Sequence, residues 1–365
     1  MAKGFTLEVN PFVYLAKHTE KNEWLEHYDE KPHLTPREEE ALDNGKLTEL
    51  LAKRNSFPEL PLVNYTTQYG MGCFEGLKAL PQKDGSLKLF RPDENAKRME
   101  NSMAGLMMPV YPAALFTAAV KKTVALNKKL GFAPAYDPGW EKGNFADGHS
   151  VYVRPFSYSE GAIGLGISKH PWVVIATTLV GKYFEAEKPS AVTTDMIRAT
   201  PGGTGCIKCD ANYVAATLAK KRAEAAGYME AIFLDACDRK YVEEGSSCNI
   251  FFLLKSGVLV TPELGDTILP GITRKSILVI AGDLGITTEE RRITIEEAMN
   301  ESKEVFVTGT AAGISYFESI THKGKTARFN DGKMGDATRE LLHTLKGIQY
   351  GAVPDKYGWM FDVDK

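Results

Sequence analysis

The chain has 365 residues, with 44 Lys plus Arg against 47 Asp plus Glu, a formal net charge of −3. At roughly 100 to 200 residues per domain that length predicts two domains, each able to bury a core. Hydrophobic residues at 43% and charged residues at 25% exclude a disordered or collagenous chain, and the near balance of charge gives no bulk attraction to nucleic acid or anionic membrane. Any anion must be held by local donors.

The opening MAKGFTLEVNPF lacks a charged segment followed by an apolar one, so it does not read as a secretory signal. No apolar run reaches the roughly 18 to 20 residues of a membrane-spanning helix. A cytoplasmic location without a membrane or nucleic-acid partner is expected. The five cysteines, Cys73, Cys206, Cys209, Cys237 and Cys248, are an odd number in a long chain and do not form a disulfide framework.

In chain order, residues 1 to 60 are polar and irregular, and read as an arm that lies over another part rather than as core. From Pro61 short β-type runs follow, PLVNYTTQY and SLKLF, leading into a helix near Asn95 to Gly105. A second helix spans AALFTAAVKKTVALNKKLGF and stops at Gly131, and the strands HSVYVRPFSY and PWVVIATTL come next. The stretch after Leu179 carries Gly, Pro and charge without periodicity. The expected division is therefore a small N-terminal α/β domain at 1–179 with its polar arm, a linker at 180–188, and a large C-terminal domain at 189–365. In the second half, Asn212 to Ala226 reads as a helix capped by Gly227, followed by the strand MEAIFLD and a hairpin of CNIFFLL and VLVTP around Lys255-Ser256-Gly257. A helix from Ile272 to about Ala281, the strand EVFVTG and a helix near Ala337 to Leu345 complete the pattern. No repeat is visible, and helices mixed with sheets in two halves define an α/β or α+β enzyme fold.

The segment GGTGCIK at 202 to 208 invites comparison with a phosphate loop. In that motif the lysine follows the last glycine directly and a hydroxyl follows the lysine; here Lys208 stands three residues after Gly205 and Cys209 follows it. Cys206 and Cys209 have Cys-x-x-Cys spacing, but no second pair completes a metal site and the histidines form no HExxH arrangement, so no metal is expected. There remains a lysine in a Gly-rich apolar setting with a tyrosine five positions on, GGTGCIKCDANY. A lysine shielded from water loses its charge more readily, and the neutral amine condenses with an aldehyde as a Schiff base.

Several segments together resemble the branched-chain-amino-acid aminotransferases, of the pyridoxal-phosphate fold type IV family: QYGMGCFEGLKA, LFRPDENAKRM, VYVRP, GGTGCIKCDANY, EEGSSCNIF, LVTPE, LPGITR and VTGTAAGI. They occur in the family's order from about residue 60 to residue 350. The resemblance implies that Lys208 binds pyridoxal phosphate and moves the substrate Cα proton, that Tyr213 bonds the cofactor phenolic oxygen, and that Glu244 faces the pyridine nitrogen. An ionised carboxylate about 3 Å from that nitrogen, at an effective dielectric near 20, favours the protonated ring by on the order of 5 kcal/mol. It further implies that backbone N–H groups of Ile272 and Thr273, with Arg98 and Thr310, hold the phosphate; an anion at the start of a helix is favoured on general grounds. From the residues alone Arg91 and Arg98 are equal candidates, and Arg198, in MIRAT, is given no role. Ser247, Ala311 and Ala312 match positions that bind the substrate α-carboxylate. Tyr69, Phe74, Tyr152 and Arg154 match the wall of the side-chain pocket, where Tyr69, Tyr152 and Arg154 can serve the second carboxylate of 2-oxoglutarate.

The implied reaction is reversible transfer of the amino group of L-leucine, L-isoleucine or L-valine to 2-oxoglutarate, giving glutamate by a ping-pong route, in a homodimer. The alternatives are another fold type IV enzyme, a D-amino acid aminotransferase or aminodeoxychorismate lyase, or a non-catalytic metabolite-binding relative. The chain departs from the family at Asp210-Ala211, where Gly-Gly is usual, and at Ser246-Ser247-Cys248. Asp210 brings a negative charge near Lys208 that bears on substrate preference. Ala312 and Ser315 stand where some mammalian members carry a redox pair of cysteines, so that form of control is not expected.

Overall fold

The computed structural model describes residues 7–56, 60–181 and 189–364. The chain forms two compact units: Met1–Tyr183 with Cys209–Ala211 and Gly347–Lys365, and Phe184–Lys208 with Asn212–Lys346. The C-terminal tail and three residues after Lys208 thus group with the first half, not with a contiguous second domain. The linker expected at 180–188 falls on residues 182–188, outside the described residues.

The first unit is built on an antiparallel sheet of seven strands in the order Met360–Asp362, Leu87–Phe90, Leu77–Pro81, Ser150–Tyr158, Trp172–Val180, Phe12–His18 and Trp24–Glu30. The N-terminal segment is therefore not an arm laid over other structure. Phe12–His18 lies inside the sheet, with Val13, Tyr14 and Ala16 almost wholly buried, because a strand covered on both faces needs consecutive rather than alternating apolar residues. Polar flanks on both sides hide that short run in the sequence. Arg54 and Glu39, also from the segment read as an arm, form a buried ion pair.

The expected strand PLVNYTTQY is also corrected, since Tyr65–Tyr69 is a helical turn. The Asn64 side chain accepts from the Thr67 N–H at 2.9 Å, and Gly70 at φ +66° closes the turn. A local cap at each end outweighs the β preference of Val, Tyr and Thr. The helix Pro92–Gly105 starts with proline, carries Asp93 and Glu94 in its first turn, and buries Asn95, Arg98, Met99, Ser102 and Met103 at spacings of three and four.

In the second unit one five-stranded sheet runs Thr288–Glu290, Leu259–Thr261, Asn249–Leu254, Ser302–Gly309, Gly313–Phe317, and another runs Lys325–Arg328, Ser319–His322, Ser190–Thr193, Glu230–Leu234, Val242–Gly245. Residues of both sheets share one core, among them Ile232, Leu234, Ile250, Phe252, Val305 and Ile320. Each such side chain contributes roughly 1.5 to 3 kcal/mol of burial. That rigid double layer carries the strand ends and turns from which the candidate site is built. The helices Asn212–Ala225, Ile272–Asp283 and Asp336–Gln349 and the hairpin around Lys255 stand where the sequence pattern puts them.

Candidate active site

Within the second unit, the Gly-rich loop at 202 to 208 is clipped by Asn212, at the start of its helix. Its Nδ2 donates to the Thr204 carbonyl at 2.7 Å and to the Ile207 carbonyl at 3.0 Å, and Thr204 Oγ1 donates to its Oδ1 at 2.7 Å. A side chain at Gly205 would meet Ala199 Cβ at 2.6 Å and Thr267 Cα at 2.7 Å, so only glycine lets the backbone pass. The loop delivers Lys208, whose Nζ donates to Tyr213 Oη at 2.6 Å.

Glu244 lies on the strand Val242–Gly245 and is 4% exposed. Arg198 Nη2 pairs with its Oε1 at 2.6 Å, and Asn249 Nδ2 donates to its Oε2 at 3.1 Å while also donating to the Leu269 carbonyl at 2.9 Å. Burial pushes the Glu244 pKa up to about 7, against the pull of Arg198, the Leu269 N–H and Lys208. Asn249 and Leu269 tie this carboxylate to the turn before the helix Ile272–Asp283. That helix begins at Gly271 with no side-chain cap, so its first turn presents N–H groups and a positive dipole end to an anion.

Thr310, Ala311 and Ala312 form the turn joining Ser302–Gly309 to Gly313–Phe317, and Ser247 lies in the turn between Val242–Gly245 and Asn249–Leu254. The two turns are neighbours, as the Ser247 carbonyl stands 3.8 Å from where a Cβ on Gly309 would be. Ser246 Oγ and Thr308 Oγ1 are buried without a hydrogen-bond partner. An amine beside a phenol, a buried carboxylate, an uncapped helix start and unused buried hydroxyls are the donor set that pyridoxal phosphate requires.

The other expected residues lie in the first unit. Tyr152 and Arg154, two apart on Ser150–Tyr158, share a face; Arg154 Nη2 donates to Tyr152 Oη at 2.9 Å, and its guanidinium lies 4.7 Å from the Phe74 ring centre. Tyr69, at the end of its helical turn, is 40% exposed. Arg98 makes a two-point bond to Glu75, Nε to Oε1 at 2.7 Å and Nη2 to Oε2 at 2.8 Å, whereas Arg91 packs on the Trp359 ring at 4.8 Å.

Sequence reasoning left Arg198 without a role and did not name Glu75. The visible signal for Arg198 was an arginine flanked by apolar Met196, Ile197 and Ala199, since an arginine so placed is usually buried against a partner. Because Arg198 supplies the largest force holding Glu244 ionised, Arg198→Gln is expected to raise the Glu244 pKa by about one unit. The carboxylate works when ionised, so activity should fall below a higher pH in the variant. Profiles of kcat/KM between pH 6 and 9 read this directly, and superimposed acid limbs would rule it out.

A model of the class IV aminotransferases matches residues 72–320. Branched-chain-amino-acid aminotransferase 3, chloroplastic, of Arabidopsis thaliana is 42% identical over 301 residues, spanning 81% of this chain and 69% of that one. A probable branched-chain-amino-acid aminotransferase of Staphylococcus aureus is 39% identical over 307 residues, spanning 81% and 82%. The branched-chain aminotransferase of Thermoproteus uzoniensis, solved with norvaline, superposes with a TM-score of 0.73 at 27% identity over 97% of this chain and 99% of that one. A Thermus branched-chain amino acid aminotransferase, solved with pyridoxamine 5′-phosphate, gives 0.70 at 29% identity over 84% and 94%. The chain belongs to the class IV aminotransferase family, and within it to the branched-chain-amino-acid aminotransferases, with the fold type IV architecture.

Proposed function

We propose that the protein is a pyridoxal-phosphate-dependent transaminase that moves the amino group of L-leucine, L-isoleucine or L-valine reversibly to 2-oxoglutarate. The observation that carries this reading is the Lys208 and Tyr213 pair, 2.6 Å apart, in the same unit as the buried Glu244. When bound, pyridoxal phosphate supplies an aldehyde that links to the amino group and a ring that draws off the electron pair left at Cα. Lys208 holds the cofactor and, once freed by substrate, takes the proton from Cα and returns it. Tyr213 orients the phenolic oxygen. Glu244 keeps a proton on the ring nitrogen, and Arg198 keeps Glu244 ionised.

Ile272, Thr273 and Thr310 are assigned to the phosphate, as is Arg98. Ser247 and the turn at Ala311 and Ala312 take the substrate α-carboxylate, and Tyr69, Phe74, Tyr152 and Arg154 take its side chain. The two units are read as the two domains of the enzyme.

We also propose a homodimer. Leu62 at 89%, Ile163 at 84% and Leu165 at 95% exposed cluster in the first unit, where Ala162 N–H donates to the Val63 carbonyl at 3.1 Å, and apolar surface of this kind is usually covered by a partner. A cytoplasmic location accords with five free thiols, and fractionation of source cells checks it; among the described residues no helix is long and apolar enough to cross a membrane.

The test is a panel of L- and D-amino acids with 2-oxoglutarate as acceptor. Glutamate should form from L-leucine, L-isoleucine and L-valine, and the purified protein should lose its visible band on adding L-leucine. Light scattering of the same sample should give about twice the 40.2 kDa chain mass. Turnover confined to D-amino acids would transfer the protein to the D-amino acid aminotransferases.

A further inference from the structure

We propose that Asp210 is a specificity-determining residue: it stands as a fixed counter-charge to Arg154, so that the pocket favours an uncharged side chain and admits the distal carboxylate of a dicarboxylate only in competition with Asp210. The inference rests on the reading that Tyr152 and Arg154 receive the far end of the substrate.

The segment Cys209–Ala211 belongs to the first unit, together with Arg154. It is laid against Gly70 to Cys73 by a bridge between Cys73 and Cys209 and by the Asp210 N–H, which donates to the Gly72 carbonyl at 2.9 Å. The carboxylate packs over Gly72 so closely that a Cβ there would collide with Asp210 Oδ2. Glycine at 72 and aspartate at 210 therefore form a matched pair that holds the charge in one place.

Burial pushes the Asp210 pKa up to about 6, and the charge that pulls it back is Arg154. The group is ionised at neutral pH. Arg154 is held by Tyr152 Oη and by the Phe74 ring, yet its Nε is buried without a hydrogen-bond partner. One donor of the fork is thus left for an anion that the chain itself does not supply.

These features set two opposite requirements. With an aliphatic side chain in the pocket, Arg154 faces no substrate charge, and a partly buried cation left alone is costly; Asp210 offsets that cost. With 2-oxoglutarate, the second carboxylate gains Arg154 but meets the like charge of Asp210. The glycine usual at this position in the family imposes no such repulsion.

The measurement is the ratio of kcat/KM for two acceptors, 2-oxoglutarate and 4-methyl-2-oxopentanoate, with L-isoleucine as donor to the holoenzyme. Asp210→Asn, which keeps size and removes charge, should raise the ratio about tenfold, mainly by lowering the KM for 2-oxoglutarate. Asp210→Glu should keep the ratio near its original value. In an Arg154→Gln background the same Asp210→Asn change should lose its effect, which a merely structural role for Asp210 would not produce. Should the asparagine variant fail to take up cofactor, Asp210→Gly gives the same reading.

Arg154→Gln alone should lower the ratio. If it does and Asp210→Asn leaves the ratio unchanged, the proposal is overturned while the pocket assignment stands. If Arg154→Gln leaves the ratio unchanged, the pocket assignment falls and the proposal with it.

Discussion

Lys208→Ala is expected to yield a folded protein that takes up pyridoxal phosphate without fixing it covalently and transaminates L-leucine on the order of 10^4-fold more slowly. The size follows from two lost functions on one atom. Nζ both displaces and is displaced by the substrate amine, and it is the base within reach of the Cα proton. No neighbour can take over, because Tyr213 is the group Nζ already bonds, at 2.6 Å. Binding should suffer much less, since the helix start at Ile272 and the carboxylate of Glu244 are untouched. Single-turnover decay of the visible band, followed with and without added methylamine, separates the two effects. Turnover within tenfold of the unmodified enzyme would mean that another group is the base.

Glu244→Gln is expected to slow Cα deprotonation about 10^2- to 10^3-fold while weakening cofactor binding only several-fold. The amide retains the shape that Asn249 and the Leu269 N–H brace, but it cannot hold a proton on the ring nitrogen. The ring then draws electrons from Cα poorly. Removing the carboxylate also leaves Arg198 as a buried cation, with its Nε already unpartnered, which costs about 3 to 5 kcal/mol of stability if no water or anion enters. A primary isotope effect with α-deuterated leucine distinguishes the outcomes. An enlarged effect with near-normal cofactor affinity supports the electronic role, whereas equal losses in binding and rate would make Glu244 structural.

The candidate groups of the second unit were legible because each sits in a short contiguous motif: Lys208, Asn212 and Tyr213 within one loop and the helix after it, and Ile272 and Thr273 in LPGITR at the opening of a helix. The partners that tune them were not. Arg198 meets Glu244, and Arg98 meets Glu75, only after the chain has folded, and no local spacing marks such pairs. The same reason hid the strand Met360–Asp362, which pairs with Leu87–Phe90 at the edge of the first sheet. The N-terminal strand escaped for a different cause, since Phe12–His18 is too short for its buried character to show between polar flanks. Tyr65–Tyr69 was misread because composition favoured a strand while the Asn64 cap favoured a turn.

Lys346 is the natural rival to Lys208: burial alone lowers its pKa to about 8, and Cε lies 2.8 Å from where a Cβ on Gly313 would be. It therefore also offers a neutral amine near neutral pH. What it lacks is a phenol beside it. Borohydride reduction of the holoenzyme followed by peptide mass mapping decides between them. The assignment predicts that the reduced cofactor is carried by the peptide containing Lys208 and by no other; cofactor fixed on Lys346, or on no lysine at all, would contradict it.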